Sequence, residues 1–119
     1  MNVVALRGCL SSDPITRELA SGSVLVTLEL TTRVGEVTSS VPLVWFDPPS
    51  PVTLASGDEV RLVGTVRRRF FRANASTQSR TEVLVAQLGR VTDKRSLSAQ
   101  RKWLLGAMGA ELADGLPSR

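Results

Sequence analysis

A two-residue hydrophobic period, interrupted by turn signals, is the feature that most constrains the fold of this chain. It indicates β-strands over residues 2–10, 24–32, 38–46, 59–72 and 81–91, separated by segments rich in Gly, Pro, Ser and Asp. The inward-facing positions of the first two strands are Val4, Leu6, Gly8 and Leu10, then Val24, Val26, Leu28 and Leu30. Five such strands, with a long Pro-rich connection before the fourth, predict an all-β domain that closes into a small Greek-key barrel.

The hydrophobic period changes near residue 92, where a helical pattern replaces the strand pattern. Long side chains then recur at three- and four-residue intervals, at Leu97, Arg101, Leu104, Leu105, Met108 and Leu112. We predict a barrel domain over residues 1–92 and a C-terminal helical tail over residues 93–119, with Ser96 or Ser98 as the N-cap of the helix. Two alternatives are open for this helix: it packs on its own barrel, or it contacts another subunit.

The composition of the chain favours a binding protein over an enzyme. Its 119 residues carry a net charge of +4, and thirteen of the fifteen basic residues are Arg, which favours an anionic partner. The chain has no His, a single Cys and no Gly-rich nucleotide loop. We therefore predict no catalytic residue, no metal site, no cofactor and no small-molecule substrate.

The hydrophobic segments and the lone cysteine bear on the location of the protein. No apolar run approaches the length of a bilayer span, and the apolar opening of the chain is interrupted at Arg7. We expect no membrane partner and no secretory signal. Cys9 has no partner for an internal disulfide, which is typical of the reducing cytoplasm.

A run of arginines interleaved with aromatic rings is the strongest functional signal. Residues 61–80 contain six arginines and no acidic residue, and residues 66–72 read Val-Arg-Arg-Arg-Phe-Phe-Arg. Cations hold phosphates and exposed rings stack on bases, so this pattern favours a single-stranded nucleic acid as the ligand. The alternative is a solvated basic face beside two core phenylalanines.

Strand alternation sorts the side chains of this run onto two faces. Arg67 and Arg69 share a face with Phe71, and we expect both arginines to face solvent as phosphate contacts. Phe70 and Arg68 lie on the other face, and we expect Phe70 to be a core or hairpin-packing residue.

Several segments of the chain resemble bacterial single-stranded DNA-binding proteins. Residues 1–8, followed by Leu10 and an Asp-Pro-x-x-Arg turn at residues 13–17, are similar to the opening of that family. Residues 57–67 resemble its fourth strand, and residues 81–85 resemble the strand that returns beside it. The resemblance covers about residues 1–92 and implies the five-stranded OB-fold barrel, assembled as a homotetramer or at least a dimer.

The resemblance also implies roles for individual residues. Phe71 and Phe46 fall where the family keeps rings that stack on bases, whereas Trp45 is expected in the core or at a subunit interface. Together with the basic residues of the run, the expected nucleic-acid contacts are Phe46, Arg61, Arg67, Arg69, Phe71, Arg72 and Arg80.

Departures from the family pattern narrow the expected function. The positions of two family tryptophans, near Ser40 and within residues 34–38, carry no ring, and the last residues 116–119 contain no acidic cluster that would recruit other enzymes. A short, actinobacterial-like paralogue is therefore implied, which binds single-stranded DNA in replication, recombination or repair in the nucleoid region of the cytoplasm. A single-stranded RNA binder and an OB-fold protein-interaction module are the alternatives.

Overall fold

The computed structural model describes the backbone of residues 1–115 and the side chains of residues 1–110. It contains six strands and one helix: β1 (Val4–Leu10), β2 (Ile15–Glu18), β3 (Val24–Val34), β4 (Val37–Phe46), β5 (Glu59–Ala73), β6 (Ser76–Arg90) and α1 (Lys94–Gly115). The five expected strands are β1, β3, β4, β5 and β6. The sequence pattern did not predict β2, a four-residue strand whose side chains are all exposed.

The strands close into a barrel with OB topology. The sheet has the order β1-β5-β6-β4-β3-β2, and β1 also pairs with β3 through Cys9–Thr31 and Leu10–Leu30. The β4–β6 pair is parallel, and the other pairs are antiparallel. This confirms the predicted fold class, an all-β five-stranded barrel with a C-terminal helix. No helix within the described residues is long and apolar enough to cross a membrane.

The barrel interior holds the apolar residues that alternation assigned to it. The core cluster consists of Leu10, Val26, Leu28, Leu30, Leu43, Trp45, Val60, Leu62, Val83, Val85 and Leu88. Val4, Leu6 and Val24 pack against this cluster, so both inward-facing sets are confirmed. Trp45 is a core residue, which confirms the first of its two expected locations. Gly8 is required where β1 crosses β3, because a Cβ there would lie 2.2 Å from the Thr31 carbonyl oxygen.

A β-bulge in β6 allows residues on both of its sides to face the core. Val85 and Leu88 both face inward but are three positions apart, an odd spacing that a regular strand cannot satisfy. Val63 pairs with Gln87 and Gly64 pairs with Val85, so Ala86 is the extra residue. Beyond the bulge, Glu82 lies opposite Arg67.

The hairpin formed by β5 and β6 extends past the barrel and ends in a two-residue turn. Ala73 pairs with Ser76, and the turn residues Asn74 and Ala75 both have positive φ angles, 51° and 64°. The expected break between the strands 59–72 and 81–91 was therefore too long, because residues 76–80 already belong to β6. We call residues 67–82 the distal hairpin; in the described structure its two strands pair only with each other.

The helix α1 packs on the outside of β5 and β6 through its first turns. The expected N-cap at Ser96 or Ser98 was wrong: the Asp93 carboxylate accepts hydrogen bonds from the N–H groups of Arg95 and Ser96, each at 3.1 Å. The buried Gln100 donates to the Arg61 carbonyl at 2.9 Å and holds the helix on β5. Of the expected helical stripe, Leu97, Leu105 and Met108 remain exposed in the single chain, and Leu112 lies outside the described side chains.

Candidate nucleic-acid interface

The outer surface of β4 and β5 carries a row of rings and guanidinium groups. The Arg67 guanidinium lies over the Phe46 ring at 5.9 Å, and the Arg69 guanidinium lies over the Phe71 ring at 5.1 Å. Phe46 is 42% exposed and Phe71 is 37% exposed. We call these four residues the sheet face. The structure therefore brings together four of the seven expected contacts, from two strands far apart in sequence.

Phe46 owes its position to the way that β4 ends. Trp45 is buried in the core, so alternation turns the next side chain outward. Asp47 then adopts a positive φ of 49° and makes two contacts with Val24: its N–H donates to the carbonyl oxygen, and its carboxylate accepts from the N–H, both at 2.8 Å. These bonds tie the end of β4 to β3 and hold the Phe46 ring on the outer surface.

A buried carboxylate lies beneath the two arginines of the sheet face. The side chain of Glu82 has no exposed surface, and its two oxygens accept from Arg69 Nε at 2.9 Å and Arg67 Nη2 at 3.3 Å. Arg67 is consequently only 34% exposed, and its Nε is shielded without a hydrogen-bond partner among the described residues. Both arginines reach solvent as expected, but each also holds part of its charge against Glu82, which was not expected.

The ionisation of Glu82 depends on this pairing. Burial alone would raise the pKa of its carboxyl group, but hydrogen bonds from Arg69 and Arg67, together with their charges, outweigh burial. The net result is a Glu82 pKa below its ordinary value of 4.5. Glu82 is therefore ionised at neutral pH, and it leaves the two arginines with one net positive charge between them.

Arg80 lies beside Arg69 at the edge of the sheet face. These two arginines lie directly opposite each other across the hairpin, a like-charge pair that is unfavourable alone. Arg80 lies 3.7 Å from the Glu29 carboxylate on β3, and Arg69 is bound to Glu82. All four charged side chains line a cleft of about 260 Å³ whose far wall includes Ile15 of β2. Asp13 lines the cleft as well, so three carboxylates face two guanidinium groups, and the positive charge of the sheet face does not extend into the cleft.

The opposite face of the distal hairpin carries a second set of the same residue types. Phe70 is 65% exposed, so its expected role as a packing residue was wrong. The Arg68 guanidinium lies over the Phe70 ring at 5.4 Å and donates to Ser79 Oγ at 3.0 Å. Arg72 is exposed and, by alternation, shares this face. We call Arg68, Phe70 and Arg72 the opposite face.

Arg61 lies apart from the other expected contacts. It precedes Arg67 by six residues, about 20 Å of strand, and lines a separate cleft of about 650 Å³ between α1, β1 and β5. The walls of that cleft are mainly apolar, from Leu6, Leu62 and Leu104 among others. The sequence run that suggested one continuous basic surface is therefore divided among three places on the barrel.

Sequence reasoning missed Glu82, Arg68 and Phe70 as residues of the interface. Glu82 is the single acidic residue between Glu59 and Asp93, and a two-residue turn at 74–75 would have placed it opposite Arg67. Within the described residues, no cluster of three or more His, Cys, Asp or Glu side chains could hold a metal ion. Comparison with known proteins gave no match to any family model or to any curated protein.

Proposed function

We propose that this chain binds single-stranded DNA along the sheet face without strong sequence preference. The observation that carries the proposal is the set of side chains on this surface, Phe46, Arg67, Arg69 and Phe71, with a guanidinium group over each ring. Exposed rings and guanidinium planes both offer surfaces for unstacked bases, and every base has a face that can stack. Such contacts hold a strand while reading little of its sequence.

The barrel supports this proposal through the location of the surface. OB barrels bind oligonucleotides on the outer face of the strands that correspond to β3 and β4 and on the loops beside them. Phe46 closes β4, and the distal hairpin rises beside it, so the sheet face lies in that region. A ligand there would pass from the barrel wall onto the hairpin.

The residues of the sheet face favour single strands over duplexes. A duplex keeps its bases stacked inside and presents phosphates to the protein, so the two exposed rings would have no partner. In a single strand, the bases reach Phe46 and Phe71 while the phosphates reach the arginines. We infer a role in DNA replication, recombination or repair, in the nucleoid region of the cytoplasm, as an accessory member of the single-stranded DNA-binding family.

The proposed assembly is a homo-oligomer, a tetramer or at least a dimer. Leu97, Leu105 and Met108 expose apolar surface along α1, and Ala5 is exposed on β1. A second subunit that covers such surface removes it from water, which stabilises the oligomer. Light scattering at micromolar protein concentration should therefore give a mass above that of one chain, 12.8 kDa.

Fluorescence titration with labelled thymidine oligomers of increasing length tests the binding proposal. Phe71→Ala should weaken binding by about 1–3 kcal/mol, the cost of one stacking platform, with an unchanged salt dependence. Val37→Ala is the control, because it removes an exposed apolar side chain at the start of β4, outside the sheet face; Val37 is 68% exposed and Phe71 is 37% exposed. Equal affinity of wild type and Phe71→Ala would refute the assigned contact.

Two further arms of the titration separate the alternatives. A preference for matched RNA over DNA would replace the proposal with RNA binding, since rings and arginines do not distinguish the sugar. Absence of binding to every oligomer would leave a protein-interaction module as the better assignment.

A further inference from the structure

Charge pairing distinguishes the two faces of the distal hairpin. On the sheet-face side, three arginines meet two carboxylates, Glu82 beneath Arg67 and Arg69 and Glu29 beside Arg80. On the opposite face, Arg68 and Arg72 make no ion pair with any described residue. The opposite face therefore offers more unpaired positive charge than the sheet face, although Phe70 on the opposite face was expected to be a packing residue.

The cross-strand neighbours of the opposite face are uncharged. Arg68 pairs with Thr81, Phe70 with Ser79, and Arg72 with Thr77. Three hydroxyl groups beside two arginines and a ring give donors and a stacking surface without a competing carboxylate. Such donors contact phosphates, and such a ring stacks on bases.

Phe70 presents its ring to solvent on a part of the hairpin that is only two strands wide. No other strand pairs with this part of the hairpin, and the ring is 65% exposed. The ring is not needed to fill the barrel core, whose members all lie elsewhere. The Arg68 guanidinium over the ring orients both groups toward solvent as one unit.

We propose that the opposite face is a second binding site for single-stranded nucleic acid, so that the distal hairpin is held between two strand segments. This inference rests on the proposed function, since it assigns the same ligand class to a second surface. The hairpin ends at the two-residue Asn74–Ala75 turn, so one long strand that passes around this tip would contact both faces. Two short oligomers can instead occupy the faces separately.

Counting bound oligomers per chain tests this site directly. The probe is a thymidine oligomer of about eight nucleotides, within the range of roughly 4–16 that one OB barrel covers. Native mass spectrometry and fluorescence titration of the full chain should give two oligomers per chain. Arg68→Ala combined with Phe70→Ala should leave one oligomer per chain, with the affinity of the remaining site unchanged.

The matched variant on the sheet face should have the reciprocal effect. Phe71→Ala should weaken the first site about 5- to 150-fold, the range for one lost stacking platform, and leave the second site occupied. Arg72→Gln should lower the salt slope of the second site alone by about 0.7, the value for one phosphate contact on a single strand. All altered side chains are exposed, and thermal unfolding should show no change.

The outcomes distinguish this inference from the proposed function. One oligomer per chain in both wild type and the Arg68/Phe70 double variant would overturn the second site and leave the first intact. No bound oligomer in wild type would overturn both. A change in the mass of the assembly in the double variant would instead assign the opposite face to contacts between copies of the chain.

Discussion

Glu82→Gln is the substitution that most sharply tests the electrostatic arrangement of the sheet face. Glutamine keeps the shape of the side chain but removes the charge that Arg67 and Arg69 share. We expect opposite effects on two properties: the fold becomes less stable, and the affinity for single-stranded DNA at low salt increases. A purely structural role for Glu82 would change the first property alone.

The loss of stability follows from the two hydrogen bonds. A bond to a charged group contributes about 1.5–3 kcal/mol. The Arg69 bond, at 2.9 Å, lies within the charge-assisted range, whereas the Arg67 bond, at 3.3 Å, is longer and weaker. Both arginines are a third or more exposed, so water replaces part of each bond. We expect a total loss of about 2 kcal/mol, which lowers the melting temperature by about 6–12 °C for a domain of this size.

The gain in affinity follows from the released charge. With Glu82 ionised, Arg67 and Arg69 carry one net positive charge, and Glu82→Gln raises this to two. One additional phosphate neutralised on a single strand steepens the slope of log affinity against log salt by about 0.7. The difference between variant and wild type should therefore shrink as the salt concentration rises.

Urea unfolding and oligomer titration at several salt concentrations measure both effects. Glu36→Gln is the control, because it changes the net charge by the same amount at an exposed position in the β3–β4 turn. If Glu82→Gln unfolds at the wild-type urea concentration and shows the wild-type salt slope, the buried carboxylate neither stabilises the fold nor limits the charge of the interface.

Two further predictions concern the stability of the protein at acidic pH and the packing of α1 against β6. The pKa of Glu82 is lower in the folded protein than its ordinary value of 4.5, so its contribution to stability is present above that value and lost as the pH falls below it. The stability difference between wild type and Glu82→Gln, measured by urea unfolding, should therefore narrow as the pH falls below about 4.5; a constant difference would contradict the pairing. Gly89→Ala, on β6, should destabilise the protein by about 1–3 kcal/mol, because the added Cβ would lie 2.2 Å from the Oγ of Ser96 on α1. Gly106→Ala, in open space on the same helix, should stabilise it by up to about 1 kcal/mol; equal thermal shifts for both would contradict the close approach of α1 to β6.

The strand pattern and the core were predictable because both depend on local alternation. Val26, Leu28 and Leu30 are buried as expected, since a strand with one buried face must repeat its apolar residues every two positions. The separation of Trp45 from Phe46 follows from the same rule. The all-β fold and its helix needed no information beyond this period and the turn residues.

The environment of the arginines was not predictable from local alternation, because it depends on pairing between strands. Two-residue hairpin turns favour Asn-Gly, and Ala75 at the second position gives no such signal. Without the turn, the register was unknown, so Glu82 could not be assigned to Arg67. The location of Phe70 was wrong for a related reason. Val60 and Leu62, on the same face of β5, point into the barrel, but at residue 70 the hairpin extends beyond the barrel and this face meets solvent.

The bulge at Ala86 determines both which side chains of β6 face the core and which face of the distal hairpin carries Glu82. Without the bulge, Glu82 would lie opposite Arg68. The carboxylate would then partly neutralise the opposite face and leave Arg67 and Arg69 of the sheet face without it. The same slip would turn Val83 and Val85 out of the core, where they are now 4% and 9% exposed. The core therefore fixes which side of the hairpin presents free charge to an anion. Loss of the bulge would therefore disrupt the core and move the buried carboxylate to the other side of the hairpin at the same time.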